Sequence, residues 1–205
     1  MRDLGVIYDT TLSFDNQVTQ CVKKCTRMLG FIRNVACDFR SASTLVYLYK
    51  SLILPTLTYC ATIWAPHTQI DLSQLISIEH KFLRFASKKT ATPMHYFNHD
   101  FSNIRKILKL PKLEITLKIQ NCIVAYKIAN KLFSSSKVNE LFVNREITHF
   151  LRDPRPVYQP VLRRNYLSES STNRLKSQWN TLPREIREAP SLNSFKSKIS
   201  TLFST

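Results

Sequence analysis

LVYLYKSLILPTLTYCATIWAP, residues 45–66, is the longest apolar run in the chain, with Lys50 its only charge and Pro55 at its middle. Leu45, Leu48, Tyr49, Leu52 and Ile53 recur at helical spacing, so the first half reads as a helix with a broad apolar face. Proline lacks the amide donor and its ring clashes with the preceding turn, so this helix is expected to end or kink at Pro55. Tyr59, Ile63 and Trp64 follow, and Pro66 closes the run. A membrane span needs ~20 apolar residues, and the length fits. The chemistry does not: Lys50, Ser51, Thr56, Thr58 and Thr62 interrupt the run, and no second such stretch exists. The expectation is a buried hairpin of helices.

Around this centre, 205 residues make one large domain or two small ones, long enough to bury a core. Only Gly5 and Gly30 are glycines, so tight hairpins and glycine-capped helix ends are expected to be rare, with Pro, Asn and Ser ending the helices instead. The formal charge is +16, from 30 Lys and Arg against 14 Asp and Glu. It is spread along the chain: 7 basic against 4 acidic over residues 1–60, 11 against 4 over 61–135, and 12 against 6 over 136–205. Such a field favours a polyanion, nucleic acid or an acidic membrane surface, with nucleic acid ahead of a basic protein that has no polyanion role. Five cysteines, Cys21, Cys25, Cys37, Cys60 and Cys122, are an odd number on apolar faces, which suggests reduced thiols and a nuclear or cytoplasmic setting. The charged N-terminus lacks the apolar core of a secretory leader.

Residues 3–14 read as a strand, a turn at Asp9-Thr10-Thr11 and a short second strand, too small to stand alone. Asp15 is the expected N-cap of a helix to about Val35. It buries Val18, Cys21, Val22, Cys25, Leu29 and Ile32, with Lys23, Lys24 and Arg27 opposite. Ser41 or Ser43 caps the central helix. A helix from Asp71 to about Lys88 buries Leu72, Leu75, Ile76, Phe82, Leu83 and Ala86 and turns Lys81, Arg84 and Lys88 outward, with Lys89 at its end. A short helix spans Asn103 to Leu108. Another starts at Pro111 and runs to about Phe133, apolar nearly all round and so placed in the core. Pro154, Pro156 and Pro160 make the next stretch irregular. There Arg152, Arg155, Arg163 and Arg164 interleave with Tyr158 and Tyr166, a pattern suited to phosphates and unpaired bases. Asn173 to Trp179, one turn at Arg184 to Glu188, and a helix capped by Ser191 close the chain.

Two-metal nucleotidyl transfer needs clustered carboxylates. Asp3, Asp9, Asp15, Asp38, Asp71, Asp100 and Asp153 are scattered, none in a Tyr-x-Asp-Asp pattern, and two lone glycines make no phosphate loop. Cys21 with Cys25, and His95 with His99, have i, i+4 spacing but lack the further ligands of a zinc site. His80 with Cys60 as a nucleophile pair rests on residue type alone. No catalytic residue, metal, cofactor or small-molecule substrate is expected.

Several stretches together resemble the C-terminal end of LINE-type (non-LTR) retroelement reverse transcriptases. Leu4-Gly5-Val6, Asp9 and Leu12-Ser13-Phe14 are similar to the last hairpin of that family's palm. Leu48-Tyr49-Lys50-Ser51-Leu52, Pro55, Tyr59 and Trp64-Ala65-Pro66 resemble its thumb motif. Ile78-Glu79-His80-Lys81-Phe82 stands where the family often has Glu-x-x-Gln-Arg, with His80 at the usual Gln. Trp179-Asn180-Thr181-Leu182-Pro183, Ile186, Ser191 and Phe195-Lys196 match its closing motif. An Arg pair often found in the family is missing between Leu113 and Lys118. The finger and catalytic palm motifs, the endonuclease and a zinc knuckle are all absent.

The resemblance implies a non-catalytic C-terminal fragment that cradles nucleic acid. The expected fold is mainly α: a palm-hairpin remnant over 1–14, a thumb-like helical domain over 15–133, an irregular basic connector over 134–172 and a C-terminal helical motif over 173–205. The expected partners are RNA or an RNA–DNA duplex, gripped through the backbone by Lys81, Arg84, Lys88 and Lys89, with Lys23, Lys24 and Arg27 next and Arg163 and Arg164 in the connector. The alternative is a helical scaffold with a protein partner, such as the missing polymerase part.

Overall fold

The structure, a computed structural model, describes residues 1–36, 41–66, 68–90, 100–143, 157–159 and 170–204. The chain is mainly helical behind a small N-terminal two-strand sheet, the expected fold class. It divides into two units, Met1–Glu114 and Ile115–Thr205.

The decisive stretch is helical across Pro55. Helix α2 (Ala42–Leu48) passes into a π-helical turn (Tyr49–Ile53) and then into α3 (Leu54–Thr58). The expected break at Pro55 is displaced to Tyr59, which is extended, and Cys60, which is left-handed at φ 51. The wide turn shows why. Leu54 N–H reaches back five residues to Tyr49 O, so the proline enters at the start of a new α segment, where a missing donor costs little. The same turn solves a packing problem. Leu45, Tyr49, Ile53 and Leu57 are all buried at a strict period of four, which drifts round a helix of about 3.6 residues per turn. A π turn winds more slowly and returns the stripe to one face.

That stripe packs into the N-terminal unit with α1 (Asp15–Val35) and α5 (Gln69–Lys89). Tyr49 stacks on Phe82 at 4.4 Å between ring centroids. Val18, Cys25, Leu29 and Ile32 of α1 meet the buried Leu75, Ile78, Phe82, Leu83 and Ala86 of α5 in the core. Each of the buried Val, Leu, Ile and Phe side chains contributes about 1.5–3 kcal/mol. Phe14, in the left-handed region at φ 63, precedes α1, so Asp15 is the first helical residue and not the cap. Thr68 caps α5 by accepting from Asp71 N–H. A short α4 (Ala61–Trp64) buries Trp64, whose Nε1 donates to Tyr59 O at 2.7 Å. Helix α6 (Ser102–Leu108) packs on α2 and α5.

The hairpin turn lies elsewhere than Asp9-Thr10-Thr11. Strands β1 (Arg2–Asp3) and β2 (Val6–Ile7) are antiparallel, pairing Arg2 with Ile7 and Asp3 with Val6. The turn is therefore Leu4-Gly5, with φ 45 and φ 86, the two positive values of a type I′ turn. Glycine adopts this freely, whereas leucine is strained there. The Leu4 side chain is 81% exposed and loses nothing on replacement. Leu4→Asn is expected to stabilise the N-terminal unit by about 0.5–1 kcal/mol, read as slower hydrogen exchange across β1, β2 and α1.

The shortage of glycine has a consequence at helix ends. Lys109 (φ 50) and Lys131 (φ 55) take the left-handed position after α6 and after α7 (Leu113–Ala129). Leu110 N–H then reaches Arg105 O at 3.0 Å, and Leu132 N–H reaches Lys127 O at 2.8 Å. These are Schellman-type closures with lysine where glycine is usual. A cation beside the last carbonyls offsets part of the strain.

The C-terminal unit is built on α7, α9 (Ser171–Thr181), α10 (Arg184–Arg187) and α11 (Leu192–Ser204), with one turn, α8 (Ser136–Asn139), between. From Cys122 to Ile128, the buried face of α7 packs in one core with Trp179, Leu182 and Phe195. Tyr126 stacks on Phe195 at 4.4 Å, and its hydroxyl donates to Ala189 O at 2.8 Å. Ser170 and Ser191 accept from Asn173 and Ser194 amides at the starts of α9 and α11.

Candidate nucleic-acid interface

The helix α1 places Lys23, Lys24 and Arg27 on its exposed face, opposite buried Cys25 and Leu29. On that side lies a groove of about 840 Å³. Its lining includes these three cations, Arg2 of β1, Gln20, Ser51, Pro55, Thr56 and Tyr59, and no carboxylate. Among the described residues the ion pairs are Arg105–Glu79 and Arg184–Glu188, so none of the four groove cations is neutralised by a partner there.

Arg2 was not legible as a site residue, because only the hairpin brings it to α1. The hairpin is held by Gln17, whose Oε1 accepts from Ile7 N–H at 3.0 Å, and by Tyr59, whose hydroxyl donates to Leu4 O at 2.9 Å. The link into α1 is tied by Asp9. Its carboxylate accepts from the Ser13 hydroxyl and amide, both at 2.8 Å, and from the Thr11 hydroxyl and Phe14 amide, both at 3.0 Å.

These bonds, led by the Ser13 hydroxyl, lower the Asp9 pKa from 3.8 to about 2. A carboxyl with a lowered folded pKa stabilises the fold above its unfolded value and loses that contribution as pH falls through the folded one. The Ser13 and Phe14 amide resonances are therefore expected to titrate with a midpoint near 2, not 3.8, and Asp9→Asn abolishes the transition.

The second predicted set is differently placed. Lys81 and Lys88 are exposed on α5, and Lys89 is half-buried. Arg84 is half-buried with its guanidinium over the Phe101 ring at 5.7 Å. None of the four lines the groove beside α1. Arg163 and Arg164 lie outside the described residues, as do Arg152, Arg155, Tyr166, His95, His99 and Cys37.

Cys21 and Cys25 sit one turn apart on the buried face of α1. A hydrogen bond between them lowers the Cys21 pKa and raises that of Cys25, burial adding to the latter. Burial pushes the Cys122 thiol up to about 11. Among the described residues no three His, Cys, Asp or Glu side chains converge as metal ligands, and no helix is long and apolar enough to cross a membrane.

A second pocket, about 370 Å³, lies beside the Glu79–Arg105 pair and includes His80, Asp100, Lys112 and Glu114. Cations and acids mix there, so its field favours neither sign. In comparisons with known proteins, no family model, no curated protein and no solved structure matches the chain.

Proposed function

We propose that the chain is the thumb and C-terminal extension of a reverse transcriptase of the non-LTR kind. In this reading it is not catalytic on its own and holds RNA or a primer–template duplex through the phosphate backbone. The observation that carries the reading is the groove on α1, where Arg2, Lys23, Lys24 and Arg27 converge without a carboxylate. Guanidinium and ammonium groups on such a surface suit phosphate contacts, which position a nucleic acid without reading its sequence. The order of the motifs from Leu4-Gly5-Val6 to Phe195-Lys196 supports the family reading, and the +16 charge supplies a field that favours a polyanion.

Each phosphate neutralised on a duplex releases counterions, giving a slope of about −0.9 in log affinity against log salt. Four contacts predict a slope of about −3 to −4, or about a 100-fold loss between about 50 and 200 mM salt. Filter binding of a labelled RNA–DNA hybrid measures it. Tight binding that ignores salt, or no binding of either the hybrid or its free RNA strand at the lower concentration, overturns the reading. In a primer-extension assay the purified chain is expected to incorporate nothing.

A docking role for a protein partner is the second reading. Met1 and Leu4 are 94% and 81% exposed on a sheet of only two strands among the described residues, and open strand edges invite pairing. A chain that ignores nucleic acid and elutes as an oligomer or with the missing polymerase part in gel filtration favours this reading.

A further inference from the structure

The groove has two unlike walls. One is the basic face of α1. The other is the end of α3 with Pro55, Thr56 and Tyr59. The two helices are in contact, and packed helices lie about 8–10 Å apart between axes.

Tyr59 is the informative residue. It is 53% exposed, which is high for an aromatic ring beside a core. Its orientation is nonetheless fixed at both ends. The hydroxyl donates to Leu4 O at 2.9 Å, and its carbonyl accepts from Trp64 Nε1 at 2.7 Å. Gly5 stands beside the ring edge, where even an added Cβ would be 3.9 Å from Cε1. A ring held in place, half open and lining the same groove as a row of cations is suited to be a stacking platform beside a phosphate track.

We infer that the groove takes a single strand of nucleic acid, its backbone along Lys23, Lys24 and Arg27 and a base on Tyr59. This rests on the nucleic-acid reading above and narrows it. Stacking on one aromatic ring changes affinity about tenfold or more, and a paired base cannot reach the ring without leaving its stack.

The test is fluorescence anisotropy on the full chain with a labelled single-stranded RNA and the same strand in an RNA–DNA hybrid. The single strand is expected to bind at least about tenfold tighter. Tyr59→Ala lowers single-strand affinity about tenfold more than it lowers hybrid affinity, which also falls with the hairpin that the Tyr59 hydroxyl holds, while Tyr59→Phe, which keeps the ring, retains most of the single-strand preference. Circular dichroism checks the fold, and Tyr59→Leu is read instead if the alanine variant unfolds. Equal affinity for the two forms, or a single-strand affinity indifferent to Tyr59, overturns the single-strand site while the basic-surface reading stands. No binding of either form removes both.

Discussion

Replacing Arg105 with methionine is expected to lower the stability of the N-terminal unit by about 3–5 kcal/mol. The reason is the position of Glu79. It lies on the buried face of α5 between Ile78 and Phe82, with its side chain 3% exposed. A carboxylate there is tolerated only if its charge is matched. Arg105 from α6 matches it with Nη2 at 2.9 Å from Oε2 and Nε at 3.4 Å from Oε1. The arginine is 13% exposed and its guanidinium lies over Phe101 at 5.7 Å. Phe101 is in turn stacked on His80 at 4.2 Å.

Methionine keeps most of the volume and leaves the carboxylate buried without its partner. The pair itself need not be strongly stabilising, because desolvating both charges offsets most of their attraction. Glu79→Leu combined with Arg105→Met is therefore expected to recover most of the loss. Urea unfolding followed by hydrogen exchange in α5 and α6 measures all three. If the double variant is as unstable as Arg105→Met alone, the unmatched carboxylate is not the cause.

Glu79 also shows where sequence reasoning stopped. Counting apolar residues on α5 selected Leu72 and Ile76, both only half-buried, and passed over Ile78 and Glu79, which are fully buried. A glutamate in an apolar stripe looks like a solvated position until its partner, 26 residues later, is placed beside it. The long helices were legible because their period is sustained: α1 and α5 start and end close to where capping and periodicity put them, and α11 starts just after Ser191. The hairpin turn was misplaced because Asp9 is also a turn former, and its side chain closes a turn of its own beyond β2. The π turn could not be foreseen, since it answers a packing demand that only the neighbouring helices impose.

The groove was legible in part. Lys23, Lys24 and Arg27 share one face by spacing alone. That Arg2 and Tyr59 join them depends on contacts across 55 residues, from Leu4 to Tyr59. The cations of α5 share the same spacing logic, yet nothing in a helical period separates an open lysine from Arg84, which spends its charge on the Phe101 ring.

In the C-terminal unit the second large effect is expected at Asn180. Its side-chain amide meets the backbone of Val157 on both sides: Nδ2 donates to Val157 O at 2.9 Å, and Oδ1 accepts from Val157 N–H at 3.2 Å. This is the pairing a neighbouring strand would offer, supplied by one side chain from α9. Val157 is buried beside Trp179 and Leu182 in the same core, so its amide and carbonyl have no easy recourse to water. Asn180→Ala strands both groups and is expected to cost about 2–4 kcal/mol, one desolvation penalty for each. Asn180→Asp separates the two bonds. Its carboxylate still accepts from the Val157 amide but turns a donor into an acceptor facing the carbonyl, so it should be no better than alanine despite equal size. Asn180→Gln retains both functions on a longer arm and should fall between alanine and the native chain. Urea midpoints for the three variants, with hydrogen exchange of the Val157 amide as the local readout, give the order. If aspartate matches the native chain, the Val157 carbonyl is satisfied by something other than Asn180, and the amide is only filling space.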